Sequence, residues 1–162
     1  MTTSLDLGCG VSPKNIFNAD LVYGIDVRDD LALSIKKADL VVEPIPFEDD
    51  FFNYVTAHDF LEHIPRLIYA PLRRYPFVEL MNEIYRVLKV GGVFLSFTPA
   101  YPNGEAFQDP THVNIITENT FIAYFDNINR WASGYGFKGA FKILSQEWRG
   151  PHLLTIMEKV II

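Results

Sequence analysis

The stretch "HDFLEHIPR" at residues 58–66 places Asp59, Glu62 and His63 at positions i, i+3 and i+4. In a helix the three side chains would project from one face. Two carboxylates and an imidazole suit a divalent cation, magnesium or manganese, and His112 of "DPTH" is the candidate fourth ligand. Such an ion would hold a hydroxyl or a vicinal diol and lower its pKa. Without an ion, His63 or His112 is the candidate general base, with Asp59 beside them. The competing account is that the acidic residue merely suits the positive end of a helix. His152, after Gly150 and Pro151, reads as a surface or hairpin residue.

A second constellation lies upstream. "LDLGCG", residues 5–10, is an apolar run ending in Gly8, Cys9 and Gly10, and "LVYGIDV" is a second run ending at Asp26. Glycines after a strand let backbone approach a ligand closely. Asp26 is placed to accept hydrogen bonds from both hydroxyls of a ribose. Asp6, two residues before the first glycine, suits a cationic ligand with no phosphate to repel. Nothing near Cys9 suggests an activated thiol, so it reads as a small packing residue.

These groups need a scaffold, and the hydrophobic pattern predicts one. Strands are expected near Ser4–Leu7, Leu21–Asp26, Ala38–Glu43, Tyr54–His58 and Val93–Thr98. A helix is expected over Phe77–Leu88, with Pro76 near its start, Leu80, Ile84, Val87 and Leu88 on one face and Gly91–Gly92 after its end. A second helix is expected over Glu118–Phe125. Two closing strands, Lys138–Trp148 and Leu153–Ile161, flank the turn at Gly150–Pro151. Alternating strands and helices imply an α/β, doubly wound, mostly parallel sheet with an antiparallel C-terminal hairpin. Ligands of such sheets sit at the carboxyl ends of the strands, beside the topological switch point. Two crossovers are thin: Val27–Lys36 before the third strand, and "PIPFEDDFFN" after it.

Composition narrows the function classes. The 162 residues, 49% hydrophobic, read as a single globular domain over residues 1–162. A formal charge of −6 provides no general field for phosphate backbones, which disfavours nucleic acid as a partner. One cysteine allows no intramolecular disulfide, no signal peptide is visible at the N-terminus, and no apolar run is long enough to span a bilayer. A cytoplasmic location is expected.

Three ligands compete for the glycine turn. A nucleoside triphosphate needs Gly-Lys-Ser/Thr, which is absent. A dinucleotide wants a third glycine where Pro13 stands and a long helix after it, whereas "PKNIFNAD" allows one or two turns. A sulfonium with an amine fits Asp6. At this point "LDLGCG", "VYGIDV", "IPFEDDFFNYVTAHDFLEH" and "LMNEIYRVLKVGGVFLSFTP", in order and at compatible spacing, resemble the class I S-adenosylmethionine-dependent methyltransferases. "FQDPTHVNIITENTF" and "SQEWRG" resemble a bacterial and phage-like subgroup of them.

The resemblance implies a seven-stranded, Rossmann-like sheet, here in trimmed form. It implies that Gly8, Cys9 and Gly10 line the methionine part of S-adenosylmethionine and that Asp26 holds the ribose. It places the adenine near Val42, Glu43 and Pro44, and sets His58 facing the cofactor. The third glycine of the family turn is Ser12 here. "DFLEH" is similar to the Glu-x-x-Glu-His element of certain metal-dependent O-methyltransferases, such as the enzyme of ubiquinone biosynthesis and the one that methylates small-RNA ends. Aspartate replaces their first glutamate.

The sequence lacks the Asp/Asn-Pro-Pro-aromatic element of amino-methylating nucleic-acid enzymes and a cysteine for cytosine C5 chemistry. The function expected is therefore methyl transfer to a hydroxyl of a small molecule or glycan, metal-assisted. The alternatives are a catalytically silent S-adenosylmethionine-binding scaffold or regulatory subunit and, third, an RNA methyltransferase. The acceptor rim is expected from "PAYPNGEAFQDPTH" and the hairpin, with Tyr101, Phe107 and Trp148, or from a second subunit of a homo-oligomer.

Overall fold

The computed structural model describes residues 1–28 and 34–162. Seven strands form one sheet: β1 (Thr3–Leu7), β2 (Leu21–Asp26), β3 (Ile35–Lys37), β4 (Phe52–His58), β5 (Leu88–Pro99), β6 (Phe141–Arg149) and β7 (His152–Lys159). Their order is β3-β2-β1-β4-β5-β7-β6. The first five run parallel, and β7 inserts antiparallel between β5 and β6. The doubly wound sheet and its antiparallel hairpin are thus as the sequence pattern implies.

The chain winds outward through β1, β2 and β3 and then returns to β4 on the other side of β1, so the switch point lies between β1 and β4. The residues that follow these two strands, Gly8 and Asp59, share one edge of the sheet. Because β7 is antiparallel, its first residue, His152, pairs with Pro99 at that same edge.

Helix α1 (Pro76–Val87) begins with proline in its first turn, where no backbone N–H partner is lost. Its periodic face buries Leu80, Met81, Ile84 and Val87, each at most 2% exposed. Burial of such side chains stabilises by about 1.5–3 kcal/mol apiece relative to exposure. They meet Leu5, Phe52, Val55 and Phe94 of the central strands in one core. Helix α2 (Glu105–Gln108) is a single turn, and α3 (Glu118–Tyr124) starts with a capping box between Thr117 and Thr120.

The third strand differs from expectation. It is Ile35–Lys37, and Ala38–Glu43 lies outside the sheet. Asp39 reorganises that segment: its Oδ1 accepts from Val41 N at 3.0 Å, and its carbonyl accepts from Val42 N and Glu43 N at 3.0 and 2.8 Å. Glu43 Oε2 in turn accepts from Asp39 N at 2.7 Å. These local bonds outcompete a ladder that the valines would otherwise favour. The crossover Val27–Lys36 falls partly on residues 29–33, outside the described residues. Among the described residues, no helix is long and apolar enough to cross a membrane.

Candidate active site

The turn after β1 is built by two glycines with positive φ, Gly8 at 64° and Gly10 at 63°. A Cβ at Gly8 would lie 2.4 Å from the Phe60 ring, so only glycine lets the β1 and β4 loops close on each other. Gly10 N–H donates to Asp26 Oδ2 at 2.8 Å, and Arg28 N–H donates to Asp26 Oδ1 at 3.1 Å. The carboxylate at the tip of β2 therefore clamps the turn and retains lone pairs for a ligand.

Asp6 is buried, 1% exposed. It accepts from Thr56 Oγ1 at 2.7 Å and from Lys14 N–H at 2.9 Å. It sets a negative charge beneath the turn and holds the backbone that follows it. His58 Nδ1 stands 3.6 Å from Asp6 Oδ1 and makes no hydrogen bond. The Cys9 thiol is pushed up to about 11, first by burial and then by the charges of Asp6 and Asp26. A neutral thiol at that depth is no nucleophile.

Above the turn lies a cleft of about 340 Å³ whose walls include Gly8, Asp26, Leu40, Val41, Asp59, Phe60 and His63. Val42 and Glu43, expected at an adenine, line a different cleft with Pro44 and Arg74. The Asp39 turn is the reason: it carries the chain away from the sheet edge two residues early. Leu40 and Val41 take the wall position instead.

The "DFLEH" segment is not an α-helix. It is a single 3-10 turn, Leu61–His63, preceded by Asp59 in the left-handed region at φ 49°. Asp59 consequently leaves the face it would share with Glu62 and His63. Its carboxylate accepts from His152 Nε2–H at 2.6 Å, and His152 stacks on Phe97 with centroids 4.4 Å apart. His152, read from sequence as a hairpin residue, thus reaches the site. Its chain neighbours Gly150 and Pro151 signalled the turn but not its partner.

Glu62, His63 and His112 do come together, with their donor atoms all within 4.8 Å of one another. Glu62 is 1% exposed. Its Oε2 accepts from Thr98 Oγ1 at 2.7 Å, while Oε1 is buried without any hydrogen-bond partner. Burial raises its pKa, opposed by the Thr98 bond.

The two imidazoles are oriented by their outer nitrogens. Thr111 Oγ1 donates to Asp109 Oδ1 at 2.6 Å, so it accepts from His63 Nδ1–H at 3.0 Å. His112 Nδ1–H donates to the Ala106 carbonyl at 3.3 Å. A hydrogen bond at Nδ1 thus fixes the orientation of each ring, the support from a neighbouring group that a metal-ligating imidazole needs. Thr111 and the α2 carbonyl went unrecognised in the sequence because hydroxyl and backbone partners carry no spacing signature. Tyr101 and Phe107 are exposed and meet edge to face, and Trp148 Nε1–H donates to Glu118 at 2.6 Å.

Gly24, within β2, is a further residue that the site depends on. A Cβ there would lie 2.4 Å from Cys9 Sγ and 2.8 Å from Pro13. The glycine turn packs directly on β2 at this point, and an isolated glycine in a strand is the signal for such an approach.

Residues 5–96 match the family described as a methyltransferase domain. A demethylmenaquinone methyltransferase of Listeria welshimeri is 30% identical over 120 residues, which is 63% of this chain and 47% of that one. The chain spans about half the length of the curated relatives it matches. A SAM-dependent methyltransferase from Archaeoglobus fulgidus superposes with TM-score 0.61 at 15% identity, over 98% of this chain and 86% of that one. A protein from Pyrococcus horikoshii superposes with TM-score 0.64 at 19% identity, over 97% and 81%. The family match spans the glycine turn, the Asp26 strand, the "DFLEH" turn and helix α1. This chain belongs to the class I S-adenosylmethionine-dependent methyltransferases.

Proposed function

We propose that the protein transfers a methyl group from S-adenosylmethionine to a hydroxyl of a small molecule or glycan, with magnesium or manganese held by Glu62, His63 and His112. The observation that carries the metal-assisted reading is the buried, unpartnered Glu62 Oε1 beside the His63 and His112 imidazoles, whose Nδ1 atoms are engaged by Thr111 and the Ala106 carbonyl. An orphaned carboxylate oxygen at that depth costs free energy unless a cation or proton meets it.

The chain's own residues divide the work. Asp26 takes the ribose hydroxyls on its remaining lone pairs, and the backbone of Gly8, Cys9 and Gly10 lies along the methionine part. Leu40 and Val41 flank the adenine. Buried Asp6, with His58 beside it, supplies negative charge under a sulfonium. S-adenosylmethionine supplies a sulfonium methyl for in-line displacement: the S–CH3 bond breaks as the O–CH3 bond forms. A divalent ion held by Glu62, His63 and His112 would supply Lewis acidity, lowering the pKa of the acceptor hydroxyl so that its proton could leave to solvent. In the ion's absence His63 would take that proton, its ring oriented by Thr111 and Asp109. Asp59 stands on the cleft wall outside the cation group.

Incubation with methyl-labelled cofactor and pools of hydroxylated small molecules and glycans tests this reading. Label in an O-methyl product that disappears with chelator and returns with manganese supports it. Tight cofactor binding with no product in any pool identifies a silent binding scaffold instead.

A further inference from the structure

A second cavity, of about 380 Å³, shares no wall residue with the cofactor cleft. Its walls come from the segment after the Leu61–His63 turn, the start of α1, and α3 with the residues that follow it. Its size falls within the range of about 300–1,000 Å³ typical of small-molecule sites. Phe77 and Phe125 form its buried floor, with ring centroids 5.4 Å apart in an edge contact. Tyr75 and Tyr135 stand at its mouth in a second edge contact at 5.7 Å. Such a lining presents flat apolar faces to a planar ring.

Two guanidinium groups flank these rings. Arg66 lines the cavity, and Arg73 lies over the Tyr75 ring at 5.9 Å. Arg66 donates only to neutral oxygens, Asn114 Oδ1 at 2.6 Å and the Ile115 carbonyl. Among the described residues, no carboxylate lies within ion-pair distance of either arginine, although acidic residues outnumber basic ones by 20 to 14 in the chain. An arginine fork without a carboxylate is matched by an anionic oxygen pair on a ligand.

Asn114 couples this cavity to the Glu62 turn. It is buried, accepts from Arg66 Nε, donates through Nδ2 to the Leu61 carbonyl at 3.0 Å and donates its backbone N–H to the Glu62 carbonyl at 3.0 Å.

We propose that this cavity binds a planar aromatic carboxylate, its ring between the Phe77, Tyr75 and Tyr135 side chains and its carboxylate on Arg66 and Arg73. The site is separate from the cofactor cleft, with which it shares no wall residue.

Fluorescence titration of the full chain with 6-hydroxy-2-naphthoate, and with 2-naphthol as the uncharged counterpart, tests the site. Arg66→Gln is expected to weaken naphthoate binding by about tenfold or more and to leave 2-naphthol within twofold. Arg73→Gln, which removes no hydrogen bond of the fold, is expected to weaken naphthoate in the same direction, and Tyr135→Ala to weaken both ligands. Naphthoate binding that is unchanged in both arginine variants, or absent from the unsubstituted chain, overturns the proposal. Arginine-dependent binding upholds the cavity even where no methyl acceptor of any kind is found, a result that would refute only the methyl-transfer reading.

Discussion

His152 Nε2–H donates to Asp59 Oδ1 at 2.6 Å, and this bond ties the first residue of β7 to the residue that follows β4. It joins the C-terminal hairpin to the cofactor edge of the sheet and holds Asp59 in a left-handed backbone conformation. Removing the imidazole forfeits both the bond and the Phe97 stack. His152→Ala is expected to lower stability by about 1–2 kcal/mol, read as a shifted urea midpoint with unchanged slope. Asp59→Asn, which keeps an acceptor oxygen, is expected to cost less.

Asp26 faces two demands, clamping Gly10 N–H and receiving a ribose. Asp26→Ala is expected to weaken S-adenosylmethionine or S-adenosylhomocysteine binding by roughly 100-fold or more, from two hydrogen bonds to a charged acceptor worth about 1.5–3 kcal/mol each. Calorimetry checks this, and unchanged affinity would place the ribose elsewhere. Nicotinamide dinucleotides are expected not to bind, since Asp6 opposes a pyrophosphate.

Glu62, His63 and His112 act on the acceptor oxygen in the proposed reaction, whereas Asp26 acts on the cofactor. His63→Ala is therefore expected to lose turnover by at least about 100-fold, the scale of general-base or metal-ligand loss, while its cofactor affinity stays within twofold. Excess chelator should abolish turnover and manganese or magnesium should restore it. Full turnover in chelator would sink the cation and leave the imidazoles as bases.

Cys9 carries a thiol pushed up to about 11 by burial and by two carboxylates. The reactive thiolate thus forms in the native protein only as pH climbs toward that value, and at pH 8 it is scarce. Alkylation of the native chain at pH 8 is expected to run roughly 100-fold slower than in urea, where the thiol returns to about 8.5. Mass spectrometry of timed samples gives both rates, and equal rates would refute the buried setting.

At Gly24 any side chain collides with Cys9 and Pro13. Gly24→Ala is expected to destabilise the fold by about 1–3 kcal/mol and to weaken cofactor binding as the turn is pushed off β2. Cys9→Ala in the same chain removes the nearest clashing atom and should recover part of the loss. The double variant's melting midpoint decides the point.

Local chemistry alone determined much of this protein. The ends of β1 and β2, the buried face of α1, the glycine turn and the closing hairpin all follow from short-range patterns: glycine's access to positive φ, a 3.6-residue apolar period, and a Gly-Pro turn between apolar runs. Tertiary structure decided what crosses between loops. Asp39 turned a valine-rich segment away from the sheet, so the wall expected at Val42 and Glu43 formed at Leu40 and Val41. Asp59 left the Glu62–His63 face for His152, a partner 93 positions away. Thr111 joined His63 across 48 positions. Such pairings depend on strand order, because only the succession β4-β5-β7 across the sheet brings their loops to one edge, and no spacing along the chain encodes that distance.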